Sequence, residues 1–202
     1  MRTAGLILGV VLAACGQAPD EPEATFIQVC LSPLAPVGVY SLSGQCDEPV
    51  EVRWQLPALV GFDPGVPAET VAAVAAAADK WNTWLGGDAL LVVPGRLGLV
   101  YGDIQVSARG WTAGQTYAGM SQFAYDYGYG QFYVDVLLYG TYAWHEETIL
   151  HELGHTLGLD HDPERTDSIM YPRVNGDPSI LTAADCLAFR EAYPDELDPP
   201  DC

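Results

Sequence analysis

Three of the four histidines in this chain fall within eleven residues, HELGHTLGLDH at 151–161. His151 and His155 are four apart, so on a helix they stand one turn above each other on the same face, the spacing at which two imidazoles share one metal ion. Gly158 lets the chain leave the helix through a backbone conformation that a Cβ resists, and the turn returns His161 to the same ion. Three neutral imidazoles leave one tetrahedral position open, the mark of a catalytic rather than a structural zinc. Glu152 follows the first ligand and points to one side of it, beside the metal rather than on it, where a general base belongs. A buried carboxylate that ligates nothing costs stability unless it has chemistry to perform, which argues against a passive zinc-binding protein.

The histidines need a rigid support, and the surrounding sequence supplies the parts. Residues 143–157 are expected to form a helix whose second half is the motif. A second helix is expected over PAETVAAVAAAADKWNTWL, 67–85, with proline at its start, Glu69 in its first turn and Gly86-Gly87 at its stop. Val71, Val74, Ala78, Trp81 and Leu85 share its core face. The alternation of Val50, Val52 and Trp54 predicts a first strand, and ALLVV, LGLVYGDIQVSA, TYAGMSQFAY and QFYVDVLLY predict a mixed sheet between 89 and 140. The tyrosines of YDYGYGQFY are read as strand and turn residues rather than a carbohydrate platform. LTAADCLAFREAYP, 181–194, reads as a closing helix capped by Thr182, with Asp185 at its third position and Pro194 as its stop.

Composition bounds what such a site could serve. The 202 residues, 49% hydrophobic, suit one globular domain. Only 8 Lys and Arg face 27 Asp and Glu, a formal charge of −19 that repels nucleic acid and anionic lipid surfaces. The start, MRTAGLILGVVLAACGQ, has a basic Arg2, an apolar stretch too short to span a bilayer, and then Cys15. Leu12-Ala13-Ala14-Cys15 resembles the lipobox of bacterial lipoproteins, which implies removal of 1–14 and lipid on Cys15. Gly16 after that cysteine leans towards an outer membrane, where the cell has one. Residues 15–26 are then the lipidated cysteine and a flexible acidic tether, 27–48 a small cysteine-bracketed segment, and 49–202 the catalytic domain, with an upper part 49–161 and a lower part 162–202. Export implies an oxidising compartment, where Cys30, Cys46, Cys186 and Cys202 permit two disulfides in three connectivities; proximity favours 30–46 and 186–202.

H-E-x-x-H-x-x-G-x-x-H is similar to the signature of the metzincin zinc endopeptidases. SIMYP, 168–172, supplies a methionine turn at Met170, and Tyr171-Pro172, the last helix and TYAGMSQF resemble the matrixin branch, so the resemblance covers about 49–194. It implies an α+β zincin fold with a mixed twisted sheet, two main helices and a small C-terminal subdomain holding the Met-turn and a final helix. It also implies one zinc ion held by His151, His155 and His161, peptide hydrolysis with Glu152 as base, and Met170 as an apolar floor. The residues four and three before the first zinc histidine, Glu147 and Thr148, then line the pocket for the side chain after the scissile bond, with Tyr171 nearby. Several positions depart from matrixins. Asp162 is the adamalysin-like choice after the third histidine. Gln131 and Tyr133 stand where matrixins bind a structural zinc, and Val174 stands in place of a pocket-wall tyrosine. Asp126 and Asp135 are read as solvated carboxylates in preference to a calcium site. Cys46 in QCDEP is read as a disulfide partner rather than a thiolate that blocks the zinc. The expectation is an exported, lipid-anchored, monomeric zinc endopeptidase acting on proteins or peptides. The alternative is a surface binding or adhesion protein that keeps the fold without turnover.

Overall fold

The computed structural model describes residues 11–14, 28–30, 49–51, 56–95, 103–111, 113, 116–126, 131–159 and 161–173. The chain enters through three short strands, β1 (Val11–Ala14), β2 (Gln28–Cys30) and β3 (Pro49–Glu51). β2 and β3 pair antiparallel as a separate ribbon, with Cys30 opposite Pro49. The strand expected from residue 50 is present as β3 at its start, and Val52 and Trp54 lie outside the described residues.

Alternation of strand and helix builds the main layer. β4 (Ala58–Phe62) leads into α1 (Ala68–Leu85), which returns the chain to β5 (Leu90–Val92), parallel to β4. β6 (Asp103–Arg109) lies parallel to β4 on its other side. β7 (Gly119–Asp126) and β8 (Gln131–Tyr139) pair antiparallel, and β8 is parallel to β6. The result is a five-stranded mixed sheet in the order β5-β4-β6-β8-β7, with β1 laid antiparallel along the outer edge of β7. β4 was not expected from the sequence. ALVGF is buried along most of both faces, so it lacks the period-two alternation of a half-exposed strand.

α1 begins where proline predicts. Pro67 takes the N-cap position with extended backbone, and Gly86 closes the helix at φ 69°. Gly86 N–H donates to Thr83 O and Gly87 N–H to Asn82 O, so the last carbonyls are satisfied by a left-handed cap. Val74, Ala78, Trp81 and Leu85 are buried as expected, joined by Thr70 and Ala77, while Val71 is half-buried. They pack with Val60, Ile104, Val106, Val134, Val136 and Leu138 of the sheet.

The helix bearing the motif starts later than the sequence reading. Gly140–Trp144 form a 3-10 turn that opens on Gly140 at φ 55°, and His145 is extended, so α2 runs Glu146–Thr156. Glu146 and Glu147 sit in its first turn, where acidic groups complement the helix dipole. Trp81 Nε1 donates to Leu150 O at 3.0 Å, a buried bond that ties the two helices together. No described helix is long and apolar enough to cross a membrane. The architecture is α+β, a mixed sheet with two helices, as expected. The predicted closing helix 181–194 with its Thr182 cap, Cys15, Cys46, Cys186 and Cys202 lie outside the described residues, as does the side chain of Cys30.

Candidate metal centre

α2 carries His151, Glu152 and His155 in one and a half turns, and its end sets the third histidine. Gly158 takes φ 97°; its N–H donates to His155 O at 2.9 Å and Leu159 N–H donates to Gly154 O at 3.1 Å. This is the same left-handed cap that closes α1, and it turns the chain back so that His161 faces the helix. One ring nitrogen from each of His151, His155 and His161 lies within 4.8 Å of the others. His155 Nε2 and His161 Nε2 are 3.2 Å apart.

The tautomers follow from the backbone around them. His151 Nδ1–H donates to Ile169 O at 2.7 Å, and His155 Nδ1–H to Leu159 O at 2.8 Å. A proton committed to a carbonyl on Nδ1 leaves Nε2 with its lone pair for a metal, and fixes the plane of the ring. Burial pushes His151 down to about 4. Burial and the adjacent His151 lower His161 to about 3, and burial with both neighbouring histidines holds His155 well below the usual range. All three are neutral at pH 7, the form that binds metal. This donor set fits zinc.

The Met-turn braces the site from below. Met170 is fully buried; its N–H donates to Ser168 Oγ at 2.9 Å, and its carbonyl accepts Asp162 N–H at 2.9 Å. Its neighbour Ile169 supplies the carbonyl that holds His151. Gly154 makes room for it. A Cβ on Gly154 would overlap Met170 Sδ and stand 3.1 Å from Trp81 Cζ2. The Asp162 carboxylate is not in the histidine cluster; it accepts Glu164 N–H at 3.3 Å and lies 3.8 Å from Arg165.

Glu152 is fully buried and is not in the histidine cluster. Ser121 Oγ lies 2.7 Å from Glu152 Oε2, and the glutamate side chain fills space over Gly119. Neither β7 residue was identified from sequence. A single serine and a single glycine in a strand carry no spacing signal, and only the fold brings them to α2.

A cavity of about 210 Å³ opens beside His151 and Glu152. Glu147, Thr148 and Tyr171 line it together with Trp111, Tyr142 and Arg173. His145, the fourth histidine, stands at the start of α2 with its ring edge-on to Tyr142 and lies outside the three-histidine cluster. Asp135 lies in β8 opposite Gln122. The side chains of Asp126, Gln131 and Tyr133 and the whole of Val174 lie outside the described residues.

Residues 100–194 match the family model for matrixin, peptidase family M10, which supports a zinc metalloprotease. No curated protein matches the chain. Among solved structures it is similar to High choriolytic enzyme 1, a hatching enzyme zinc-protease from Oryzias latipes (Medaka fish), at 17% identity and a TM-score of 0.35. That match covers 57% of this chain and 52% of the hatching enzyme, a remote likeness. The three-histidine cluster and Met170 both fall within residues 100–194, the stretch that matches matrixin, and over that stretch the chain is matrixin-like.

Proposed function

We propose that the chain is a zinc-dependent endopeptidase of extracytoplasmic proteins or peptides, held on a bacterial cell envelope by lipid on Cys15, with Glu152 as its general base. The observation that carries this reading is the buried Glu152 carboxylate beside three convergent neutral imidazoles, held by a hydroxyl and outside the ligand set. His151, His155 and His161 would hold the zinc ion, which would supply a Lewis acid for water activation and carbonyl polarisation. Glu152 accepts the proton of the attacking water and passes it to the leaving amine. The Nδ1 bonds to Ile169 and Leu159 keep the rings from turning as charge develops.

The outer edge of β7 supports an extended substrate. An edge strand presents unpaired N–H and C=O groups, and this one accepts four residues antiparallel, Val11 to Ala14 against Phe123 to Met120. Removal of 1–14 as a signal segment would leave that edge to a substrate peptide.

The cavity wall gives the reading of specificity. Glu147 on the cavity favours Lys or Arg after the cleaved bond, and the charge of −19 draws basic peptides towards the protein. Arg173 lines the same cavity and its positive charge offsets part of that pull, so the preference is modest. A quenched-peptide library incubated with the purified protein tests the function. Cleavage abolished by a chelator and restored by zinc is expected; cleavage indifferent to both overturns it.

A further inference from the structure

We propose that β7 is the element that positions Glu152, through the hydroxyl of Ser121 and the missing side chain of Gly119. The proposal rests on the reading of Glu152 as general base and names what holds it. Ser121 is fully buried, and its Oγ lies 2.7 Å from Glu152 Oε2 and 3.1 Å from the glutamate's own backbone carbonyl. A hydroxyl has one proton to donate, and a carboxylate at the shorter distance takes it in preference to a neutral carbonyl. Oε2 is thereby fixed.

Gly119 stands two residues earlier in the same strand, so both positions face α2. A Cβ on Gly119 would lie 2.6 Å from Glu152 Oε1, 2.7 Å from its Cγ and 2.9 Å from its Cδ. The stem and second oxygen of the glutamate therefore occupy the space that any other residue at 119 would fill. One position bonds the carboxylate and the other vacates room for it. Both are held by the sheet, since Gly119 pairs with Leu138 and Ser121 with Val136 of β8. Glutamate is a flexible side chain, and a base displaced by about 1 Å from its proton loses up to about a hundredfold in rate. Ser121 and Gly119 are positioning residues, acting on the reaction only through Glu152.

Three measurements test this. S121A should lower kcat about tenfold, the worth of a hydrogen bond to a charge, with KM and zinc content unchanged, and S121T, which keeps the hydroxyl, should recover most of it. G119A should lower kcat by up to about a hundredfold, again at unchanged zinc content. Equilibrium unfolding of the zinc-free protein gives the reading without turnover: S121A should reduce the folding constant about tenfold when Glu152 is present and by less than about threefold in the E152A background. Equal cost in both backgrounds, or an S121A enzyme whose loss falls on KM or zinc binding, overturns the proposal. If the wild type cleaves no peptide, the proposed function fails, and the unfolding cycle still decides whether β7 grips Glu152.

Discussion

Replacing Gly154 with alanine sets two effects of opposite sign against each other. In an α-helix interior, glycine to alanine gains about 1 kcal/mol from backbone entropy and propensity. Here the added Cβ would overlap Met170 Sδ and press Trp81 Cζ2 at 3.1 Å. Neither neighbour has room to retreat. Both are fully buried; Trp81 is pinned through Nε1 to Leu150 O, and the Met170 backbone is bonded to Ser168 and Asp162. Overpacking of this kind costs about 1–3 kcal/mol, which exceeds the propensity gain. A net loss of about 1 kcal/mol is expected, or about 2–4 °C in Tm for a domain of this size. A second consequence follows from the Met-turn. Pushing Met170 moves the adjacent Ile169 carbonyl that orients His151, and loss of such a support weakens metal binding about 10–100-fold. Urea denaturation of the zinc-free protein and a competitive zinc titration measure the two effects. M170A in the G154A background should relieve the overlap, so the double variant should cost less than the sum of its parts. A G154A protein about 1 kcal/mol more stable than wild type, with unchanged zinc affinity, refutes the packing of the Met-turn against α2.

Acid should destabilise the zinc-free protein through its histidines. The fold holds His151, His155 and His161 neutral, with His151 lowered to about 4. Unfolded histidines take up protons below about 6.5, so their contribution is complete above that pH and is lost as pH falls towards 4. A denaturation midpoint that stays level between pH 7.5 and 5 contradicts this. For specificity, E147L should lose any preference for Lys or Arg after the cleaved bond and R173A should strengthen it; identical cleavage profiles would remove Glu147 from the pocket. Cys15→Ser should move the protein from the membrane to the soluble fraction in the producing cell, and a variant that still fractionates with lipid rules out the lipid anchor.

The sequence carried the metal site more fully than the scaffold. Helical spacing and the glycine exit were sufficient to bring His151, His155 and His161 together, because each depends only on local geometry. The limits of α1 were readable for the same reason, with Pro67 at one end and Gly86 at the other. β4 escaped because a strand buried between two parallel neighbours has no alternating pattern. The start of α2 was misplaced because GTYAW and His145 are compatible with a helix in isolation, and only the 3-10 turn off Gly140 delays it. The support of Glu152 by Ser121 and Gly119, and of Met170 by Gly154, depends on contacts between β7 and α2, 31 residues apart for Ser121, or between α2 and the Met-turn. Close approach of that kind leaves no periodic trace in the chain. The pairing of β1 with β7 was likewise unexpected, since its residues read as part of a signal segment.

The central claim is that Glu152 is a base and not a ligand. Turnover of a quenched peptide by E152A, prepared beside wild type and matched for zinc, tests it most directly. One zinc per chain in both proteins, with turnover in E152A reduced by at least about 10²–10⁴-fold, is the predicted result. E152A turning over near the wild-type rate at full zinc occupancy, or losing its zinc with its activity, would contradict it.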